Sequence, residues 1–223
     1  MPLQLNTPYA GTKMNKKILL IAFTISGTTA LIYEIVWSRP LQLIFGSTIY
    51  AVSTILTTFF VGFALGSYLF RNIADNVKKP LALFGLIQLG IGLYGLMILG
   101  LFKALTPIYL ALESSGFQSA QSVLLFLVLI IPATLFGATW PVINRAYVKI
   151  ERRGEDFGRL YSFNSFGSFL GPILAGLVLI PWWGITNTSL FAASINIILG
   201  LLTLIYSKKS EKNGGEKSGE WRF

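Results

Sequence analysis

The chain has 223 residues with 18 Lys and Arg against nine Asp and Glu, yet charged residues make up only 12% of it and hydrophobic residues 53%. Together with a mean hydropathy of +0.66, this is the balance of an integral membrane protein and excludes an ordinary soluble domain. With no cysteine and no histidine, thiolate nucleophiles, thiol redox chemistry, disulfides and the commonest metal ligands are excluded too. The net charge of +9 lies between the apolar runs, not on one soluble basic face, so it reads as a topology signal and not as a nucleic-acid surface.

Residues 1–17 form a polar lead that ends in Lys13, Lys16 and Lys17. The following run, 18–37, is too long for a signal-peptide core and has no small-residue cleavage site, so it reads as an uncleaved first membrane helix. It holds Glu34, the one acidic residue in any of the long apolar stretches. A carboxylate in hydrocarbon costs at least ~2.5 kcal/mol unless paired, hydrated or protonated, which makes Glu34 a functional candidate. Helical spacing sets Gly27, Ala30 and Glu34 on one face, a small-residue stripe suited to packing inside a bundle.

The second span is 48–70, with Thr58, Gly62 and Gly66 at four-residue spacing. A polar loop with Arg71, Asp75, Lys78 and Lys79 leads to the third, 80–102, where Gly85, Gln88, Gly92 and Gly95 share a face. Residues 103–119 are too polar to span and suggest a short interfacial helix. The fourth span, 120–142, is punctuated by Pro132, Gly137 and Pro141, which bend it or end it early. After the charged loop 144–159 comes the fifth span, 160–183, with Asn164 beside the steps Gly167, Gly171 and Ala175, and a kink expected at Pro172. Residues 184–188 make a tight turn. The sixth span, 189–206, presents Ser189, Ala193, Asn196, Gly200 and Thr203 on one face, and 207–223 is a polar, Gly-rich tail expected to be disordered.

The lead, the second and fourth loops and the tail hold sixteen Lys and Arg, whereas the first, third and fifth connections hold two. The positive-inside rule then puts both termini in the cytoplasm. The expected fold is all-α, with six transmembrane helices in an inner membrane, in contact with lipid and without cofactor or metal.

Two readings of Glu34 stand side by side. It is a proton-coupling or cation-binding carboxylate facing a polar cavity lined by Gln88, Asn164 and Asn196, or it lies near the outer interface, paired with Arg39, and fixes the helix position. Gln88, Asn164 and Asn196 singly also serve as interhelical hydrogen-bond glue. The basic residues of 144–159 fit anionic lipid headgroups or a cytosolic partner, and equally the needs of membrane insertion.

Three stretches in order, SGTTALIYEIVWSRPLQLIFGSTIYAVSTILTTFFVGFALGSYLF, LIIPATLFGATWPVINRA and GRLYSFNSFGSFLGPILAGLVLIP, resemble the membrane domain of the fused spermidine synthase-like proteins. Those helices are usually classed with the major facilitator superfamily. The segment from Gly66 through Asp75 to Lys79 is similar to the loop signature between the second and third helices of major facilitators, in which the Asp and basic residues brace neighbouring helices; the usual glycine four residues before the Asp is Arg71 here. The resemblance implies a six-helix unit equivalent to half of a major facilitator transporter, able to rebuild twelve helices as a parallel homodimer. It also implies a small solute as ligand, an organic cation such as a polyamine being suggested by the family. Because these residues hold no nucleotide-binding glycine loop between strand and helix, no aminopropyltransferase active site is expected in them. The alternative is a non-transporting anchor that recruits a separately encoded aminopropyltransferase-like enzyme.

Overall fold

A computed structural model describes residues 16–45, 49–114, 118–148 and 150–219, and these are helical almost throughout. In apolar surroundings every backbone N–H and C=O must be satisfied within its own segment, and long apolar runs meet that demand as helices. The helices are α1 (Lys16–Phe45), α2 (Ile49–Asn76), α3 (Pro80–Ser114), α4 (Gln118–Tyr147), α5 (Arg153–Ile173) and α6 (Ile180–Gly219). A 3-10 turn, Ile150–Arg152, precedes α5, and a π-helical turn, Leu174–Leu179, joins α5 to α6 without a break. Among the described residues, five helical stretches are long and apolar enough to cross a membrane: Lys16–Gln42, Val52–Asn76, Pro80–Ile108, Ala120–Tyr147 and Arg153–Lys209.

The last of these is 57 residues long, and it contains the expected fifth and sixth spans together. Where the sequence suggested a five-residue turn, the helical pattern is interrupted at a single residue, Gly184, whose φ of 75° and ψ of 173° are non-helical. Positive φ is cheap only for glycine. Just downstream the Thr188 hydroxyl donates to the Gly184 carbonyl at 2.7 Å, closing the first turn after the break. The π-helical turn lies between Pro172 and Pro181; each proline lacks an N–H and crowds the preceding turn, and the widened π register accommodates this.

Other helices also outrun their expected ends. α3 continues through Pro107 to Ser114, so residues 103–114 extend a long helix and are not a separate interfacial one. α4 passes both Pro132 and Pro141 and reaches Tyr147, and α5 already begins at Arg153, which shrinks the expected loop 144–159 to a few residues. Helix is favoured there because Glu155 and Asp156 occupy the first turn of α5, where carboxylates complement the helix dipole. The tail expected to be disordered is helical as far as Gly219, since Lys and Glu after Tyr206 propagate a helix already nucleated.

Packing follows the small residues. α2 and α4, the most extensively packed pair, run parallel, with Gly62 against Ala133, Gly66 against Thr134 and Ala138, and Gly137 against Phe63. The Ser67 hydroxyl donates to the Gly137 carbonyl at 3.0 Å across this interface. α1 and α5 are also parallel: Lys16 meets Asp156 at one end, and Thr24 and Thr28 meet Gly167 and Gly171 further along. α3 and α6 are antiparallel, with Gly85 against Gly200 and Thr203 and Gly92 against Ala193 and Ile197. α1 and α3 run parallel, Ser26 meeting Gln88 and Tyr33 meeting Gly95. Lipid gives no hydrophobic drive between helices, so such backbone approaches supply the dispersion and hydrogen bonding that hold the bundle.

Gly66→Ala should therefore destabilise the protein by roughly 1–3 kcal/mol, because its Cβ would meet backbone atoms of Thr134 and Ala138. Gly100→Ala, with nothing within 4 Å of its Cβ, should be neutral or slightly stabilising. Thermal melting in mild detergent distinguishes the two; equal melting temperatures would refute the close α2/α4 interface.

Candidate solute-binding site

α1 sets the depth of each group. At 1.5 Å per residue from Lys16, Ser26 lies ~15 Å and Glu34 ~27 Å along the axis, so in a hydrocarbon layer roughly 30 Å thick Ser26 is central and Glu34 near the far side. A cavity of about 320 Å³ opens at the level of Ser26, along the seam between the α1/α5 and α2/α4 pairs. α1 contributes Ser26, Gly27, Ala30 and Leu31; α2 Phe63, Ala64 and Ser67; α4 Phe136 and Trp140; α5 Asn164 and Ser168. No charged side chain lines it. Its volume is at the lower end of small-molecule pockets, and its mix of aromatic wall and sparse polar groups is typical of them.

The four expected polar residues divide into two groups. Asn164 lines the cavity, beside Gly27, whose missing side chain makes room for it. Glu34 is half-buried on the same face of α1, one turn beyond Ala30, and forms no hydrogen bond or ion pair among the described residues. Arg39, its suggested partner on the same helix, is exposed, and no ion pair joins them. Gln88 on α3 and Asn196 on α6 do not line the cavity; both are wholly buried (0% exposed), at a level bracketed by the Gly85/Thr203 and Gly92/Ala193 contacts.

Ser26 connects the two groups. Gln88 Nε2 donates to Ser26 Oγ at 2.5 Å from behind, and Ser26 itself borders the cavity. Gln88 Oε1 and both amide atoms of Asn196 have no hydrogen-bond partner, which is unusual for groups buried so deeply. On the far side an aromatic cluster closes the core: Tyr33 stacks on Trp37 at 4.5 Å and on Phe136 at 5.9 Å, and Tyr94 donates to the Val128 carbonyl at 2.6 Å.

Of the loop signature, Gly66 is buried in the α2/α4 contact, the Arg71 guanidinium lies 4.3 Å over the Tyr68 ring, and Asp75 is exposed near the end of α2. These three are not brought to the cavity. The brace that is present was not singled out in the sequence. Lys16 pairs with Asp156 at 2.6 Å and lies over the Tyr147 ring, tying α1, α5 and α4 at one end, with the Asp156 side chain only 2% exposed. Its sequence signal was a Lys and an Asp in two segments assigned to the same membrane side. Ser26 and Ser67 were also passed over, as small residues among many.

A profile of the Major Facilitator Superfamily matches residues 18–222. The chain is 25% identical to Polyamine aminopropyltransferase 2 of Ralstonia nicotianae over 84% of its own length and 35% of that protein's. It is likewise 25% identical to Polyamine aminopropyltransferase 1 of the same organism, over 84% of this chain and 34% of that protein. It is 27% identical to the Proton-coupled antiporter flippase LtaA of Staphylococcus epidermidis, over 68% of this chain and 35% of the flippase. The chain thus spans about a third of the length of the curated relatives it matches. No solved structure matches it. With its membrane-length helices and this near-complete profile match, the chain belongs to the major facilitator superfamily and is a multi-pass membrane protein of transporter type.

Proposed function

We propose that the protein binds and moves a small organic cation across a cell inner membrane, the solute resting in the cavity and its amine reaching Glu34. The observation that carries this reading is the placement of a carboxylate with no partner among the described residues one turn from the cavity, on the same face of α1. A partly buried charge at the hydrocarbon edge with no partner among the described residues is costly, and recognition of a cation or a proton is the use that offsets it. A polyamine is one member of the class, favoured by the names of the Ralstonia relatives. Glu34→Gln should lower uptake or efflux of spermidine in reconstituted vesicles at least about tenfold, the effect of losing ~1.4 kcal/mol of charge-assisted interaction. Unchanged flux in a variant of normal melting temperature would overturn the role of Glu34.

The chain is proposed to cross the membrane six times with both ends cytoplasmic. α5 parallels α1, α1 parallels α3, and α6 opposes α3, so the 57-residue stretch reverses direction, with Gly184 as its turn. Its straight length of ~85 Å would be nearly three times the hydrocarbon thickness, which also favours two crossings. The absence of native cysteine makes the test direct. Trp182→Cys, near the turn and 81% exposed, should react with an impermeant maleimide on intact cells, and Lys208→Cys only after permeabilisation. The opposite labelling pattern would reject this topology.

A second reading rests on the Ralstonia relatives, whose names are those of enzymes while this chain covers about a third of each. In it the helices anchor a soluble aminopropyltransferase-like partner through the segment 144–159 and the tail. Six crossings with both ends on one side also suit a parallel homodimer, whose two copies would face each other across their cavities. Purification in native-lipid particles tests both ideas: twice the monomer mass supports the dimer, a co-purifying aminopropyltransferase supports the anchor, and a bare monomer counts against each.

A further inference from the structure

Resting on the solute-binding reading of this cavity, we infer that its hydrogen-bond polarity is set from behind by Gln88, and that the preferred cation carries an oxygen acceptor as well as an amine. Thr24 and Thr28 on α1 donate to the carbonyls of Leu20 and Thr24 at 2.9 Å, so they present no proton to a ligand. Ser26 differs. Its oxygen receives the Gln88 N–H, and its own hydroxyl donates to no group among the described residues. A hydroxyl has one proton and two lone pairs, so with a lone pair engaged behind it Ser26 offers the cavity a donor.

Across the cavity the Ser67 proton is engaged by the Gly137 carbonyl, which leaves Ser67 to offer lone pairs. Ser26 on α1 therefore offers a donor and Ser67 on α2 an acceptor, beside the Asn164 amide and the Ser168 hydroxyl, with no charge among the lining residues. A hydroxyl or amide group satisfies both. A fully protonated linear polyamine has only N–H donors at its polar positions and leaves Ser26 without an acceptor, an arrangement that buried sites discriminate against strongly. Gln88 is a positioning residue here. It is wholly buried behind Ser26, with its own Oε1 unpartnered.

The matched probes are spermidine and N-acetylspermidine, which differ by one amide oxygen and one charge, measured for binding to the full chain in lipid nanodiscs. Wild-type protein should prefer the acetylated probe about five- to tenfold, the worth of one satisfied buried hydrogen bond. Ser26→Ala should bring the ratio close to one, and Ser26→Thr, which keeps the hydroxyl, should restore it. Gln88→Glu, whose carboxylate accepts instead of donating, should turn the Ser26 proton away and collapse the same ratio, whereas a merely structural loss would weaken both probes alike. Equal affinities in the wild type, or a preference that survives Ser26→Ala, would overturn this inference and leave the cavity reading standing. If neither probe binds the wild type and Glu34→Gln also leaves flux unchanged, the cavity reading falls and this inference with it.

Discussion

The structure depends on helices approaching to backbone distance at glycine. In lipid, apolar side chains gain nothing by leaving their surroundings, so attraction must come from contacts that only small residues permit. Gly62, Gly66 and Gly137 bring α2 onto α4, and Gly167 and Gly171 bring α5 onto α1. Each pair is tight within itself, and contacts between the pairs are far fewer. The cavity lies at the seam, where side chains such as Phe63, Phe136 and Trp140 hold one pair away from the other. Pairing and opening are thus two results of one distribution of glycine.

The same approach decides which polar groups remain available. Where backbones touch, hydroxyls are drawn into helical carbonyls, as with Ser67 on Gly137 across the α2/α4 contact and Thr203 on Leu199 in its own helix. Ser26 escapes because Gln88 reaches it from α3 and occupies its oxygen. The interior then contains amide atoms with no partner, on Gln88 and Asn196, where an apolar pair would be the less costly choice. A packing role alone does not account for that choice; on the inference drawn above, Gln88 is kept to orient Ser26.

Much of this was legible in the chain. Runs of about twenty apolar residues marked the membrane helices, and four-residue spacings of small residues marked the faces that meet: Gly85, Gly92, Gly200 and Thr203 do lie in one interface. Helix ends were less legible. Proline weakens a helix without ending it when neighbouring turns adjust, so α4 passes Pro132 and Pro141, and charged residues such as those after Tyr206 continue a helix as readily as they interrupt hydrocarbon. The grouping of polar residues was half legible. Periodicity fixes which face of its own helix a residue occupies, and so joined Glu34 to Gly27 and Ala30. It is silent on which helix that face meets, which is why Gln88 and Asn196 were assigned to a chamber when they lie behind it.

The two membrane-edge carboxylates are handled in opposite ways. Asp156 is almost fully buried, but an ammonium lies 2.6 Å away and an aromatic ring shares that cation, so its charge is answered within the protein and fixes three helices at one end. Glu34, ~27 Å along α1 from that pair, has no such answer among the described residues and is half-buried beside a cavity that contains no charge of its own. A structural acid is expected to resemble the first case, with its partner built in. On the proposed reading, an acid left open beside an uncharged space, near the membrane edge, meets a charge that arrives from outside the chain.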